Sequence, residues 1–281
     1  MSIELKKVSK RFVENVVLDG VDFFVAEGET VALLGPSGVG KSVLLKHIIG
    51  LIKPDSGEVW VDGQLVPMLG RKELAKLRSS IGYVFQNGAL FDSMDVFENI
   101  RLGITNDEQY RDKEYCIERV RDCLRLVNLN EDVGRKFPAE LSGGMRKRVG
   151  IARAIAGKPT YLLYDEPTSG LDPVNADVID SLIERLQQEI GVTSVVVTHD
   201  VRGAFRVADR IALLAQARIR AVGTAEQIIA SQDPVVQQFL ERDLEMAVIQ
   251  AGPGFQVPGA GGSRGKPDTR HPTSDTTSGG E

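Results

Sequence analysis

The sequence predicts an α/β fold in which a largely parallel sheet is interrupted by a mainly helical insertion. Three observations predict it. Short segments with the character of buried strands recur: the continuous apolar run Thr30-Val-Ala-Leu-Leu34, which suits burial on both faces, then Tyr161–Tyr164 and Thr193–Thr198. Helical patterns alternate with the later runs, which calls for right-handed crossovers between parallel neighbours. Between the early and late strands lies a stretch from about Asn87 to Ala156 that is rich in charge and in helical spacing.

Taken in order, Ile3–Leu5, Val16–Leu18, Asp22–Val25 and Val59–Val61 are short apolar or alternating runs and read as strands joined by turns. The run Thr30–Leu34 stops at Gly35, and a helical pattern follows from Lys41 to about Gly50. Ile81–Phe85 reads as another buried strand, and Lys113–Val127 as the clearest helix of the insertion. Strands return at Tyr161–Tyr164, Thr193–Thr198 and Arg210–Leu214, separated by helices at about Val174–Ile190 and Val201–Val207. Residues 1–86 and 157–242 are thus expected to form one core and 87–156 a helical subdomain. Residues 243–281 form a C-terminal extension, dominated from 251 onward by Gly, Pro, Ser and Thr. It holds too little apolar surface to offset its ordering entropy and is expected to be largely disordered, unless it braces a partner. No internal repeat appears, so the chain holds one such unit.

Composition narrows the function. With 42% hydrophobic and 26% charged residues the chain has the make-up of a soluble globular protein. A formal net charge of −5 disfavours a nucleic-acid partner. Cys116 and Cys123 lack metal-ligand spacing and read as free thiols on one helix. The opening residues Met1-Ser-Ile-Glu-Leu-Lys-Lys contain no signal-peptide core, and no apolar run approaches the ~18 residues a membrane span needs. The chain is expected in the cytoplasm, reaching a membrane only through a partner.

The first chemical motif is Gly35-Pro36-Ser37-Gly38-Val39-Gly40-Lys41-Ser42, which fits the phosphate-binding pattern GxxxxGK[ST] between a strand and a helix. Glycines let the backbone curl so that successive N–H groups point at phosphate oxygens, and the helix that follows adds its positive end. Lys41 is expected to reach the β- and γ-phosphates and the Ser42 hydroxyl to ligate Mg²⁺. The core is therefore of the P-loop NTPase kind, which alone leaves kinases, GTPases, helicases and transporters open.

Further motifs follow in a fixed order. Gln86 succeeds the strand Ile81–Phe85. Leu141-Ser142-Gly143-Gly144-Met145 precedes Tyr161-Leu-Leu-Tyr-Asp165-Glu166-Pro167, then Ser169-Gly-Leu-Asp172 and Thr198-His199-Asp200. Over residues 1 to about 240 this set resembles the ATP-binding subunits of ABC transporters. The resemblance implies a RecA-like core with the family's β-subdomain, ATP and Mg²⁺ as cofactors, and roles residue by residue. Asp165 and Gln86, with Ser42, would serve the metal. Glu166 would polarise the attacking water, and His199 would reach the γ-phosphate. Phe12 sits where the family stacks an aromatic on adenine, or is an ordinary surface or core aromatic. Ser142, Gly143 and Gly144 would meet the γ-phosphate held by a second copy, which implies a homodimer. Arg146, Lys147 and Arg148 read as a solvated helix face, or as helpers of that contact in trans. Two departures, Met145 in place of the usual Gln and Tyr164 in a normally aliphatic strand, remove no catalytic group.

The stretch Val84-Phe-Gln-Asn-Gly-Ala-Leu-Phe-Asp-Ser-Met-Asp-Val-Phe-Glu-Asn99, with the basic residues after the signature, is similar to the Mla/Mce-associated ATPases, which drive bacterial phospholipid or other lipid transport. That likeness implies a separate integral-membrane permease docking around Gly88, Ala89, Leu90 and Phe91, a peripheral place on the inner face of the membrane, and a periplasmic Mce-type lipid-binding protein further out. Alternatively Leu90 and Phe91 only pack the helical subdomain, and the cargo is a polar solute. A non-transport ABC ATPase is the remote alternative: this chain has neither the long coiled coil of the SMC type nor the tandem domains of the ribosome-acting type.

Overall fold

This computed structural model describes residues 2–251, and side chains as far as Arg242. In chain order its strands are β1 (Ile3–Phe12), β2 (Asn15–Val25), β3 (Thr30–Leu34), β4 (Ser56–Val61), β5 (Gln64–Leu65), β6 (Ile81–Val84), β7 (Tyr161–Asp165), β8 (Thr193–Thr198), β9 (Arg210–Ala215) and β10 (Arg218–Gly223). The α-helices are α1 (Lys41–Ile48), α2 (Arg71–Ser79), α3 (Val96–Arg101), α4 (Asp107–Arg111), α5 (Lys113–Leu126), α6 (Gly143–Ala156), α7 (Pro173–Ile190), α8 (Val201–Val207), α9 (Ala225–Ile229) and α10 (Pro234–Ala251). Helix α10 carries the first residues of the C-terminal extension; the tail expected to be disordered lies, from 252 on, outside the described residues.

Two sheets result. One is antiparallel, in the order β2-β1-β4-β5; the other runs β10-β9-β3-β8-β7-β6 and is parallel except for the β10–β9 pair. Every residue of β3 and β8 is buried, the hydroxyl residues Thr30, Thr193, Ser194 and Thr198 included, as befits strands covered on both faces. The period of two sorts their side chains into separate cores. Val31, Leu33, Tyr161 and Leu163 pack with α1 and the antiparallel sheet, whereas Leu162 and Tyr164 point into the core shared with the helical subdomain. Ala32 and Leu34 pack instead with α8 and the C-terminal helices. Cys116 and Cys123 are free and both buried in the helical core, on one face of α5.

Two differences from the sequence reading have local causes. The runs Val16–Leu18 and Asp22–Val25 belong to one strand. Its alternation breaks at Gly20, whose φ of 60° marks an irregularity, with its N–H donating to Ser9 Oγ at 2.9 Å. Helix α2 and strand β10 carry weak signals because only Leu77 of α2 and Gly223 of β10 are buried. Helices α3 and α5 pack against α6, α4 packs on α5, and α6 packs on strand β6. Thus the helix that opens at the signature segment is bolted to the core sheet.

Candidate active site

The motif residues converge where strands end and helices begin. Strand β3 delivers the chain into Gly35–Gly40, and α1 starts at Lys41. Two glycines here are dictated by space as well as by backbone. Gly35 has φ 155° and a side chain on it would run into the Leu214 carbonyl; Gly40 has φ 114° and a Cβ there would lie 2.6 Å from Val17 Cγ1. Pro36, Ser37 and Gly38 are exposed and Val39 half-buried, so the loop is anchored at its ends and open to solvent between them. No side chain caps α1, which leaves the amides of its first turn for an anion.

The Lys41 ammonium is buried, 5% exposed. It donates to Gly35 O at 2.7 Å and Pro36 O at 3.1 Å, and it pairs with Glu166 Oε1 at 3.2 Å. The other carboxylate oxygen of Glu166 lies 2.7 Å from His199 Nδ1. His199 follows β8 and is exposed; the Glu166 side chain is only 12% exposed. Beside this triplet stands a second one. Asp165, the last residue of β7, accepts from Ser42 Oγ at 2.6 Å on Oδ1 and from the Tyr83 hydroxyl at 2.9 Å on Oδ2. Burial, then the Asp165 charge, push the Tyr83 hydroxyl far above its ordinary pKa, so it stays a donor.

Ser42 and Asp165 offer two hard oxygen donors in contact. That is what Mg²⁺ commonly takes from protein when nucleotide phosphates and waters complete its octahedron. Gln86, the third expected metal residue, is exposed and directs its amide nitrogen to Ser169 Oγ at 3.2 Å. Phe12 ends β1 half-exposed, with the Lys10 ammonium 5.4 Å from its ring centroid. The neighbouring β1–β2 turn leaves Val13 almost wholly in solvent.

Three motif residues share one local device. Ser142, Asp172 and Asp200 are N-caps of α6, α7 and α8, accepting from Met145 N, Asn175 N, and Arg202 N and Gly203 N. Ser142 and Gly143 are exposed at their helix start, while Gly144 is buried, where a Cβ would lie 2.9 Å from Asn175 Oδ1. His47 is buried inside α1 with Nδ1 2.7 Å from Val43 O, as a packing residue.

The basic triplet after the signature is not one solvated face. Arg146 is exposed, but Lys147 is buried and Arg148 half-buried, its guanidinium donating to Asn128 O at 2.8 Å. Consecutive residues of an α-helix point about 100° apart, so three in a row cannot share a face. Sequence reasoning also missed Tyr83. Nothing local marks it, since its partner Asp165 is 82 residues away. The expected docking loop is split: Leu90 packs against the helical core, whereas Ala89 and Phe91 are exposed. Arg153 holds this loop through Gly88 O at 2.8 Å and Ala89 O at 2.7 Å. The Asn99 amide clasps Phe91 from both sides.

Comparison with known proteins agrees with this geometry. The family model described as ABC transporter matches residues 18–169. The intermembrane phospholipid transport system ATP-binding protein MlaF of Haemophilus influenzae is 39% identical over 244 residues, 85% of this chain and 90% of that protein. The probable ribonucleotide transport ATP-binding protein mkl of Mycobacterium leprae is 40% identical over 240 residues, 85% of this chain and 69% of that protein. A dimeric post-hydrolysis state of an ATP-binding cassette bound to ADP and Pi superposes with a TM-score of 0.72 at 35% identity, covering 79% of this chain and 98% of that one. With the motifs in place, the family model matched over more than half of the chain and MlaF matched along 90% of its length, the chain belongs to the ATP-binding family of ABC transporters and is an ATPase.

Proposed function

We propose that the chain energises lipid transport, of phospholipid in the first instance, through a separate membrane permease on which it sits as a homodimer. The observation that carries the catalytic part is Glu166 held between Lys41 and His199 beside the Ser42–Asp165 pair. ATP enters with its phosphates on the Gly35–Ser42 loop, and Lys41 exchanges its loop carbonyls for phosphate oxygens. Phe12 stacks on the base. Ser42 and Asp165, joined by Gln86 once its side chain leaves Ser169, would hold Mg²⁺, which when bound would supply positive charge to the phosphates. Once Lys41 turns to the phosphate, the Glu166 carboxylate is released to orient a water, and His199 steadies the γ-phosphate from the other side. Ser142, Gly143 and Gly144 of a second copy close the site with hydroxyl and helix-terminal N–H groups.

Tyr83 gives a test of the metal assignment. Tyr83→Phe removes one donor from a carboxylate that must keep its charge and aim. Loss of a hydrogen bond to a charged group, ~1.5–3 kcal/mol, corresponds to a rise of roughly ten-fold or more in the Mg²⁺ needed for half-maximal ATPase. The KM for ATP at saturating Mg²⁺ should hold. An unchanged Mg²⁺ titration would remove Tyr83 from the metal site.

The cargo reading rests on the likeness to MlaF along 90% of its length and on the Val84–Asn99 segment. Ala89 and Phe91 form the exposed seat for the permease, and among the described residues no helix is long and apolar enough to cross a membrane itself. A periplasmic Mce-type protein would complete the route. The likeness to mkl favours the second reading, a polar solute such as a ribonucleotide. The chain co-purified with its permease and reconstituted in vesicles decides between them. ATP-dependent transfer of labelled phospholipid, with no response of ATPase to ribonucleotides, is expected; the reverse pattern sinks the lipid reading.

A further inference from the structure

The helix that opens at the signature segment also drives a cation into the interior. Lys147 of α6 is 7% exposed, an unusual place for a lysine. Its ammonium is satisfied by backbone: it donates to Ser169 O at 2.6 Å and to Glu166 O at 3.4 Å. Both carbonyls belong to the turn that follows β7. That turn starts in a costly conformation, for Glu166 has φ 50°, a left-handed backbone that residues with a side chain seldom adopt. Its own bonds are few: Glu166 N to Val197 O at 2.9 Å and Ser169 N to Glu166 O at 3.2 Å. Strained backbone persists only where its surroundings over-determine it. Gln86 reaches this turn only at the Ser169 hydroxyl, whereas Lys147 grips its backbone from outside, at the carbonyl of the strained residue and at the carbonyl that ends it.

We propose that Lys147 is a positioning residue, which locks the left-handed turn bearing Glu166 and so ties the aim of that carboxylate to the signature helix of the same chain. The inference rests on the reading that Glu166 orients the attacking water. Any displacement of α6, whose exposed start is the part that would face a second copy, then reaches Glu166 through one side chain. Burial holds the Lys147 ammonium down to about 8, opposed by the Glu166 charge. Lys41 and His199 lie beyond that carboxylate, one on each of its oxygens, and Arg146 and Arg148 flank Lys147 on its own helix. Charged at neutral pH, Lys147 becomes an amine as pH rises through 8, and a neutral donor makes weaker bonds to the carbonyls.

Steady-state ATPase of the full chain tests this with Lys147→Met, which keeps the length and loses the charge, and Lys147→Arg, which keeps the charge. Lys147→Met should lower kcat at least ten-fold with KM for ATP within two-fold, because the phosphate loop is untouched. Lys147→Arg should recover much of kcat, and the alkaline fall of the wild-type kcat near pH 8 should be absent from it. Glu166→Gln, run alongside, separates the two ideas. If that variant turns over normally, the reading of Glu166 fails. If it is dead while Lys147→Met keeps wild-type kcat, the Lys147 proposal is overturned. Should Lys147→Met not fold, an alkaline limb in Lys147→Arg identical to wild type overturns it instead.

Discussion

Glu166→Gln is expected to cut ATP turnover by about 10²–10⁴-fold, the usual worth of a positioned general base, while ATP still binds. The amide preserves the shape of a side chain that fills a small, nearly closed space between Lys41 and His199. What it loses is the negative charge. In the nucleotide-free chain that charge balances the buried Lys41 ammonium; in the loaded site, on the proposed reading, it polarises water. With glutamine present Lys41 still meets the phosphates, so affinity is kept, and the step after binding is blocked. Nucleotide should then accumulate on the protein as ATP, and chromatography with ATP should shift the chain toward the dimer. The pure variant measured by phosphate release gives the first readout and retained nucleotide the second. Turnover within a few-fold of wild type would remove Glu166 from the role of base.

How much of this was legible in the sequence depends on whether a residue's partners are local. Strands β3 and β8 are found at their observed limits because each is buried on both faces, and the apolar residues Val31–Leu34 and Val195–Val197 follow one another without a charge between them. The Gly35–Ser42 loop is legible because its residue pattern, a glycine-rich turn and a helix start, is complete within eight residues, although the space that demands Gly35 and Gly40 is set by the distant Leu214 and Val17. Ser142, Asp172 and Asp200 stand out in the sequence as motif residues for the same reason, and the structure adds that each is an N-cap. Strand β10 is not, since it lies at a sheet edge and its burial is partial along nearly all its length. Tyr83 escapes altogether, and Lys147 reads from sequence only as part of a solvated face or a contact in trans. One is a polar residue in a strand whose partner sits on a neighbouring strand, and the other a cation among cations whose partners are carbonyls, which no side-chain pattern records. A clue was available for Lys147, because a helix face cannot hold three consecutive residues in solvent.

The other large effect concerns the second copy of the chain. If each ATP is held by Lys41 of one chain and Ser142 of the other, two individually lethal lesions should complement. Lys41→Ala removes the charge from the phosphates and leaves Glu166 Oε1 without its buried counter-ion. Ser142→Arg replaces an exposed N-cap hydroxyl with a long side chain at the helix start, obstructing whatever docks there and losing the bond to Met145 N. Each homodimer then carries one lesion in each of its two sites, and both variants should lose nearly all ATPase activity. In a mixed dimer one site collects both lesions and the other has an intact loop and an intact signature. Co-expression with different tags, in complex with the permease, followed by purification through both tags, should therefore return a share of the wild-type rate, up to about half if the sites turn over independently. Were the two sites strictly cooperative, rescue would be masked in turnover yet would remain visible as ATP-dependent pairing of the differently tagged chains. The likeness to a dimeric cassette bound to ADP and Pi supports the outcome. If neither activity nor pairing returns while a doubly tagged wild-type dimer shows both, the ATP site is complete within one chain, and the exposed start of α6 needs another explanation.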